Sequence, residues 1–444
     1  MGQISEAKLG LVRSLIEQAP DAAIRSLLMA LSVDGSHDAG LTRVQDLVET
    51  EAGDRRTRNM ALSPITPLCR APTTFGGLTF PPRTLALIWK ALRAEADDDL
   101  AAARALAADW KTGESSPELF DALCARAAAG LRFGEDGFAA AAATADTGGG
   151  RQLLASALDI APIVRRALDQ MPEWLGRMTT EKAAKLRLCY RDVVAVADDA
   201  GPLFFEMLAA HLGEPWLILR VISGVMDRPA EAYVAGSEVA VFGQRVLADI
   251  DRRLAEVTAF KAVSGRQSAH VAAEAVHVAT VEITEVEQSI QLGNNGPWSG
   301  RLARQKRDLA ATIEGHLKAA DKALGEALPL QTLRMGPRAA RGIPRLTHDP
   351  DPALVEKAAT LLVFTSEVRN SAAAGGFAST RAKALELMET RLDKYVEDIL
   401  EEIRSEHDEF HDRARAFLDI AAEFCGLVRD EKAAQIVRRR AAAA

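Results

Sequence analysis

The stretch 239-VAVFGQRVLADIDRRLAEVTAF-260 decides the fold class. Val239, Phe242, Val246, Ile250, Leu254 and Val257 recur every three or four residues, and charged side chains fill much of the space between them. That period lays the apolar side chains along one stripe of a helix, where a half-buried strand would alternate every second residue. No proline interrupts the run, so the expected element is an amphipathic helix with one face on a core. The pattern continues more weakly to about Leu292, and Ser264-Gly265-Arg266 is where so long an arm would bend or break. Gly293, Asn294, Asn295, Gly296 and Pro297 then spell a turn. A second stripe follows in Leu302, Leu309, Ile313, Leu317, Leu324 and Leu328, so the reading is a long antiparallel hairpin over residues 231–328.

Working outward toward the N-terminus, Leu153, Leu154, Leu158, Ala161, Val164 and Leu168 mark another amphipathic helix, and Thr180–Asp198 the next. The most apolar region, Leu203–Met226, is interrupted by Gly213 and Pro215 and carries Glu206, His211, Glu214 and Arg220. It reads as two buried helices joined by a turn rather than a membrane span. With the hairpin these make a central bundle over 151–328. Gly148, Gly149 and Gly150 precede it as a candidate hinge, after a helical N-terminal domain over 1–147. Within that domain Asp21 is placed to cap a helix, and Ser63–Pro82, with five prolines, is excluded from helix.

On the other side, 329–352 reads as a Pro- and Arg-rich linker and 353–444 as an elongated helical unit. Its main element is one long helix from about Ser379, with Leu385, Met388, Leu392, Val396, Ile399, Ile403, Phe410, Phe417 and Phe424 on one stripe. Composition agrees: alanine, leucine, glutamate and arginine favour helix, and aromatic residues are only 5%. The expectation is an all-α, multi-helix bundle protein.

The formal net charge of −8 argues against a surface that binds nucleic acid as a whole. Cys69, Cys124, Cys189 and Cys425 lie too far apart for a zinc knuckle or redox pair and read as buried hydrophobes of a reducing compartment. Met1–Val12 lacks the apolar core of a signal peptide, so the expected location is cytoplasmic.

Three groups of residues could carry chemistry. His407 and His411 stand one helical turn apart, a spacing that can hold zinc, but Asp408 occupies the place where a zincin needs glutamate. His270, Glu274 and His277 include the Glu-x-x-His spacing of di-iron carboxylate bundles, although no second full pair accompanies them. Arg334, Arg338, Arg341 and Arg345 fall in a segment with no acid before Asp349, and arginine suits phosphate. The plain alternatives are a seam histidine, a solvated helix face and a solvated linker. No phosphate loop, dinucleotide fingerprint or nucleophile elbow is present. No cofactor is therefore expected. The favoured function is a non-enzymatic interaction or scaffold protein, its long helices pairing with a protein partner or a second copy of itself.

Overall fold

In the computed structural model, residues 6–33, 39–109, 118–146, 149–197, 199–226, 229–294, 296–334, 340–404 and 410–443 are described. They form an all-α protein whose only strands are two short ones. No helix among them is long and apolar enough to cross a membrane. The chain divides into two compact units, Met1–Asp227 and Arg228–Ala444.

The first unit contains α1 (Glu6–Gln18), α2 (Asp21–Val33), α3 (Ala39–Ala61), α4 (Thr84–Glu95), α5 (Asp97–Asp109), α6 (Glu118–Phe133), α7 (Ala139–Ala145), α8 (Gly150–Leu175), α9 (Thr180–Val196), α10 (Ala200–His211) and α11 (Ile218–Val225). Of the glycines expected to form a hinge, Gly148 lies outside the described residues. Gly149 takes φ +86° and Gly150 begins α8, where a Cβ would collide with the Ala145 carbonyl. Helix α8 packs on α6, which joins it to the N-terminal helices within the first unit.

A buried arginine fastens that join. Arg165 on α8 donates to the carbonyls of Met60 (2.7 Å) and Ala61 (2.6 Å) at the end of α3, to Ser63 Oγ (2.9 Å), and to Asp121 on α6 (3.2 Å). Carbonyls at a helix C-terminus lack intrahelical donors, and a cation there also meets the favourable end of the dipole. The proline-rich Ser63–Pro82 segment is non-helical apart from a short 3-10 turn at Thr66–Leu68. It is anchored to α10, where Glu206 accepts from the Leu78 amide (3.0 Å) and His211 Nε2 bonds the Pro64 carbonyl (3.2 Å).

The second unit contains α12 (Glu231–Ala235), α13 (Ala240–Ala259), α14 (Arg266–Ser289), α15 (Pro297–Ala327), β1 (Leu330–Arg334), β2 (Ala340–Pro344), α16 (Pro352–Glu367), α17 (Ala378–Arg404), α18 (His411–Val428) and α19 (Glu431–Ala443). Two expected long elements are folded back. The first arm of the hairpin breaks between Phe260 and Gly265, where Gly265 takes φ +82°, and α14 returns along α13. Phe260 sits at that corner against His316 and Phe364, at ring-centroid distances of 5.2 and 5.1 Å. Likewise the single helix expected from Ser379 is two: α17 ends at Arg404 and α18 starts at His411. Arg429, just past α18, bonds Asp393 in the middle of α17 at 2.6 Å, so α18 runs back along α17. Folding back lets the stripes Leu392, Val396, Ile399, Phe417 and Phe424 close on one another and on Leu324, Leu328, Leu361 and Leu362 in one core.

The expected linker after Pro329 contains an antiparallel hairpin, with Leu330 opposite Pro344 and Arg334 opposite Ala340. At the other turn of the unit, the carboxylate of Glu231 caps α15. It accepts from the amides of Gly293 (2.8 Å), Trp298 (2.7 Å) and Ser299 (3.0 Å). Burial alone would raise its pKa, but the amides of Ser299, Gly293 and Trp298 together hold it below the ordinary value. A Cβ on Gly296 would occupy the space of that carboxylate, which explains the glycine.

Candidate functional site

A groove with polar walls lies in the second unit, between the C-terminal half of α13, the N-terminal half of α14 and the turn after α16. Its volume is about 890 Å³, within the range of small-molecule sites. Arg253 and Glu256 reach it from α13, and Gln267, His270, Glu274 and His277 from α14. Glu367, Arg369 and Asn370 close the third side. The polar residues on α14 recur at three- and four-residue steps, so one polar stripe of that helix faces the groove while Ala269, Ala272, Val276 and Ile283 are buried.

Most of the charges in the wall are already matched. His270 Nδ1 bonds Glu367 Oε1 at 2.5 Å. Arg252 bonds Glu256 at 2.6 Å, and Arg253 lies 3.6 Å from the same carboxylate. Arg253 also reaches Asp249, one turn further along α13, at 3.4 Å. Asp249 in turn faces the fully buried Glu282 of α14, whose carboxyl oxygens meet no N–H donor. Burial, then the charge and hydrogen bond of Asp249, push the Glu282 pKa up to about 9, while Arg253 and Arg252 pull it down. Glu282 therefore stays protonated at neutral pH.

Of the residues singled out for metal, His270, Glu274 and His277 do line one wall together. No three His, Cys, Asp or Glu side chains among the described residues are arranged to hold a metal ion. His411 begins α18, and His407 lies outside the described residues, so their pairing is not placed. Of the arginines singled out for an anion, Arg341 is held by Asp398 (2.5 Å) and Glu401 (3.0 Å) of α17. Arg345 bonds Thr347 Oγ1 at 3.2 Å, while Arg338 and the side chain of Arg334 lie outside the described residues. Cys124 and Cys425 are buried, and burial raises their thiols to about 12 and about 11, too high for a reactive thiolate.

Sequence reading missed Arg253, Glu256, Glu367, Arg369 and Asn370 because they come from segments about a hundred residues apart, brought together only when α14 folds back between α13 and α16.

A second surface stands out in the first unit. Helices α1, α2 and α3 share a small core in which, among the described residues, Ile16, Ile24 and Val48 are buried. Leu11 and Leu15, one turn apart on α1, are 67% and 62% exposed, and Leu27 on α2 is 42% exposed. No protein-family model, curated protein or solved structure matches this chain.

Proposed function

We propose that this chain is a non-enzymatic interaction protein that engages a protein partner, or a second copy of itself, through the outer face of α1. The observation that carries the reading is the exposed Leu11–Leu15 pair on a helix whose own core is minimal. Single exposed leucines are ordinary, but two on one stripe of a weakly anchored helix are the pattern of helix-on-helix recognition. The stripes of α15, α17 and α18, on which the sequence-based expectation relied, are filled by one another inside the second unit. What supports the N-terminal helices instead is the exposed Leu11–Leu15 pair.

Mass measurement by light scattering on the purified chain, together with affinity capture from its native cell, tests this. The unaltered chain self-associates or retains a stoichiometric partner, and the double change Leu11→Asp, Leu15→Asp abolishes that association while the far-ultraviolet spectrum is kept. A chain that is monomeric and captures nothing, or an association untouched by the double change, contradicts the proposal.

A further inference from the structure

The groove in the second unit carries an inference of its own, independent of the α1 surface. Two charged side chains of its wall stay outside the pairs described above. Arg369 and Glu274 both line the groove, and neither has a hydrogen-bond or ion-pair partner among the described residues. Glu256 is held by Arg252, and Glu367 is hydrogen-bonded to His270. A second cation lies near: Arg381 bonds the Thr365 carbonyl at 3.0 Å, has no carboxylate partner among the described residues, and is close enough to Arg369 for the like charges to repel. Two neighbouring guanidinium groups without counter-ions favour an incoming anion, and a planar guanidinium matches a carboxylate in two-point fashion. Glu274, on the α14 wall, asks for the opposite charge. Asn370, Gln267 and Ser366 add uncharged donors and acceptors between them. A ligand with a single charge would leave one of the two groups unanswered, and the volume of about 890 Å³ exceeds what an inorganic ion fills.

We propose that this groove binds a small zwitterion of the amino-acid or short-peptide class, with Arg369 taking its carboxylate and Glu274 its ammonium group. The probe is the tripeptide Ala-Ala-Ala, compared by titration calorimetry on the full chain with its N-acetylated form and its C-terminal amide. These two analogues remove one charge each and leave the rest of the molecule in place. The unmodified tripeptide binds about tenfold more tightly than either analogue, a step of about 1.4 kcal/mol. Arg369→Gln lowers its affinity to the level of the amide, and Glu274→Gln to the level of the N-acetyl form. Both positions are exposed, so the folded state survives either change, which circular dichroism verifies. No saturable binding of the tripeptide at millimolar concentration, equal binding of all three probes, or a preference that both variants retain would overturn the proposal.

Discussion

The three N-terminal helices and the five helices of the C-terminal core use the same kind of sequence and end in different states. In α15–α19 every long stripe finds another stripe, and Phe364, Phe424, Ile399 and Leu324 are fully buried. In α1–α3 the stripes are shorter and meet incompletely, leaving Leu11 and Leu15 toward water over three buried side chains. Amphipathicity alone does not distinguish the two. The difference is whether the chain supplies a second apolar face at the right distance, and folding back at Phe260–Gly265 and after Arg404 supplies it only in the C-terminal region.

The largest expected effect falls on the closed core. Phe364→Ala removes a fully buried ring stacked on Phe260 and edge-on to His316, and costs about 3–5 kcal/mol in urea unfolding of the second unit. A loss near that expected for a surface change would mean the core is not closed.

The next two effects separate the polar devices that hold the second unit. Glu282→Gln removes an ionisable group from the interior beside Asp249, so it stabilises by about 1–3 kcal/mol at pH 8. The sign follows from linkage: the folded pKa of Glu282 lies above the ordinary 4.5. Its contribution is complete below 4.5 and is lost as pH rises through about 9. The advantage of the variant therefore vanishes in acid. Glu231→Gln acts oppositely. It weakens a cap on three amides and costs about 1–2 kcal/mol at neutral pH. Because the folded pKa of Glu231 is lowered, that cost is full above 4.5 and fades as pH falls below the folded value. Unfolding midpoints of the two variants across pH 4–9 should therefore diverge from each other as pH rises.

The smallest effect is at the open region. Leu11→Asp changes the stability of the isolated chain by less than about 0.5 kcal/mol, since the side chain is already in water. A larger loss by the same urea assay would show that Leu11 is part of a core.

How much of this was readable from residues alone depended on the range of the interactions. The class was plain, because the stripes of α13 and α15 are local properties of 20–30 residues. Thr180 was read as the start of a helix and is the start of α9, with Thr179 capping it through a bond from the Lys182 amide. The break between α17 and α18 was not readable, since residues 405–410 contain neither proline nor glycine and the apolar stripe continues across them. The hairpin at Leu330–Pro344 was hidden by its arginines and prolines, which read as linker until Arg341 meets Asp398 of α17. Of the groove, the α14 wall was visible as His270, Glu274 and His277. Its other walls were not, because no local pattern ties Arg253 and Arg369 to them.

The most direct test of the contrast is hydrogen–deuterium exchange of the chain, alone and in its captured or self-associated complex. The account predicts new protection in α1 and α2, with α15, α17 and α18 equally protected in both states. New protection confined to α17 or α18, or none in α1, would contradict it.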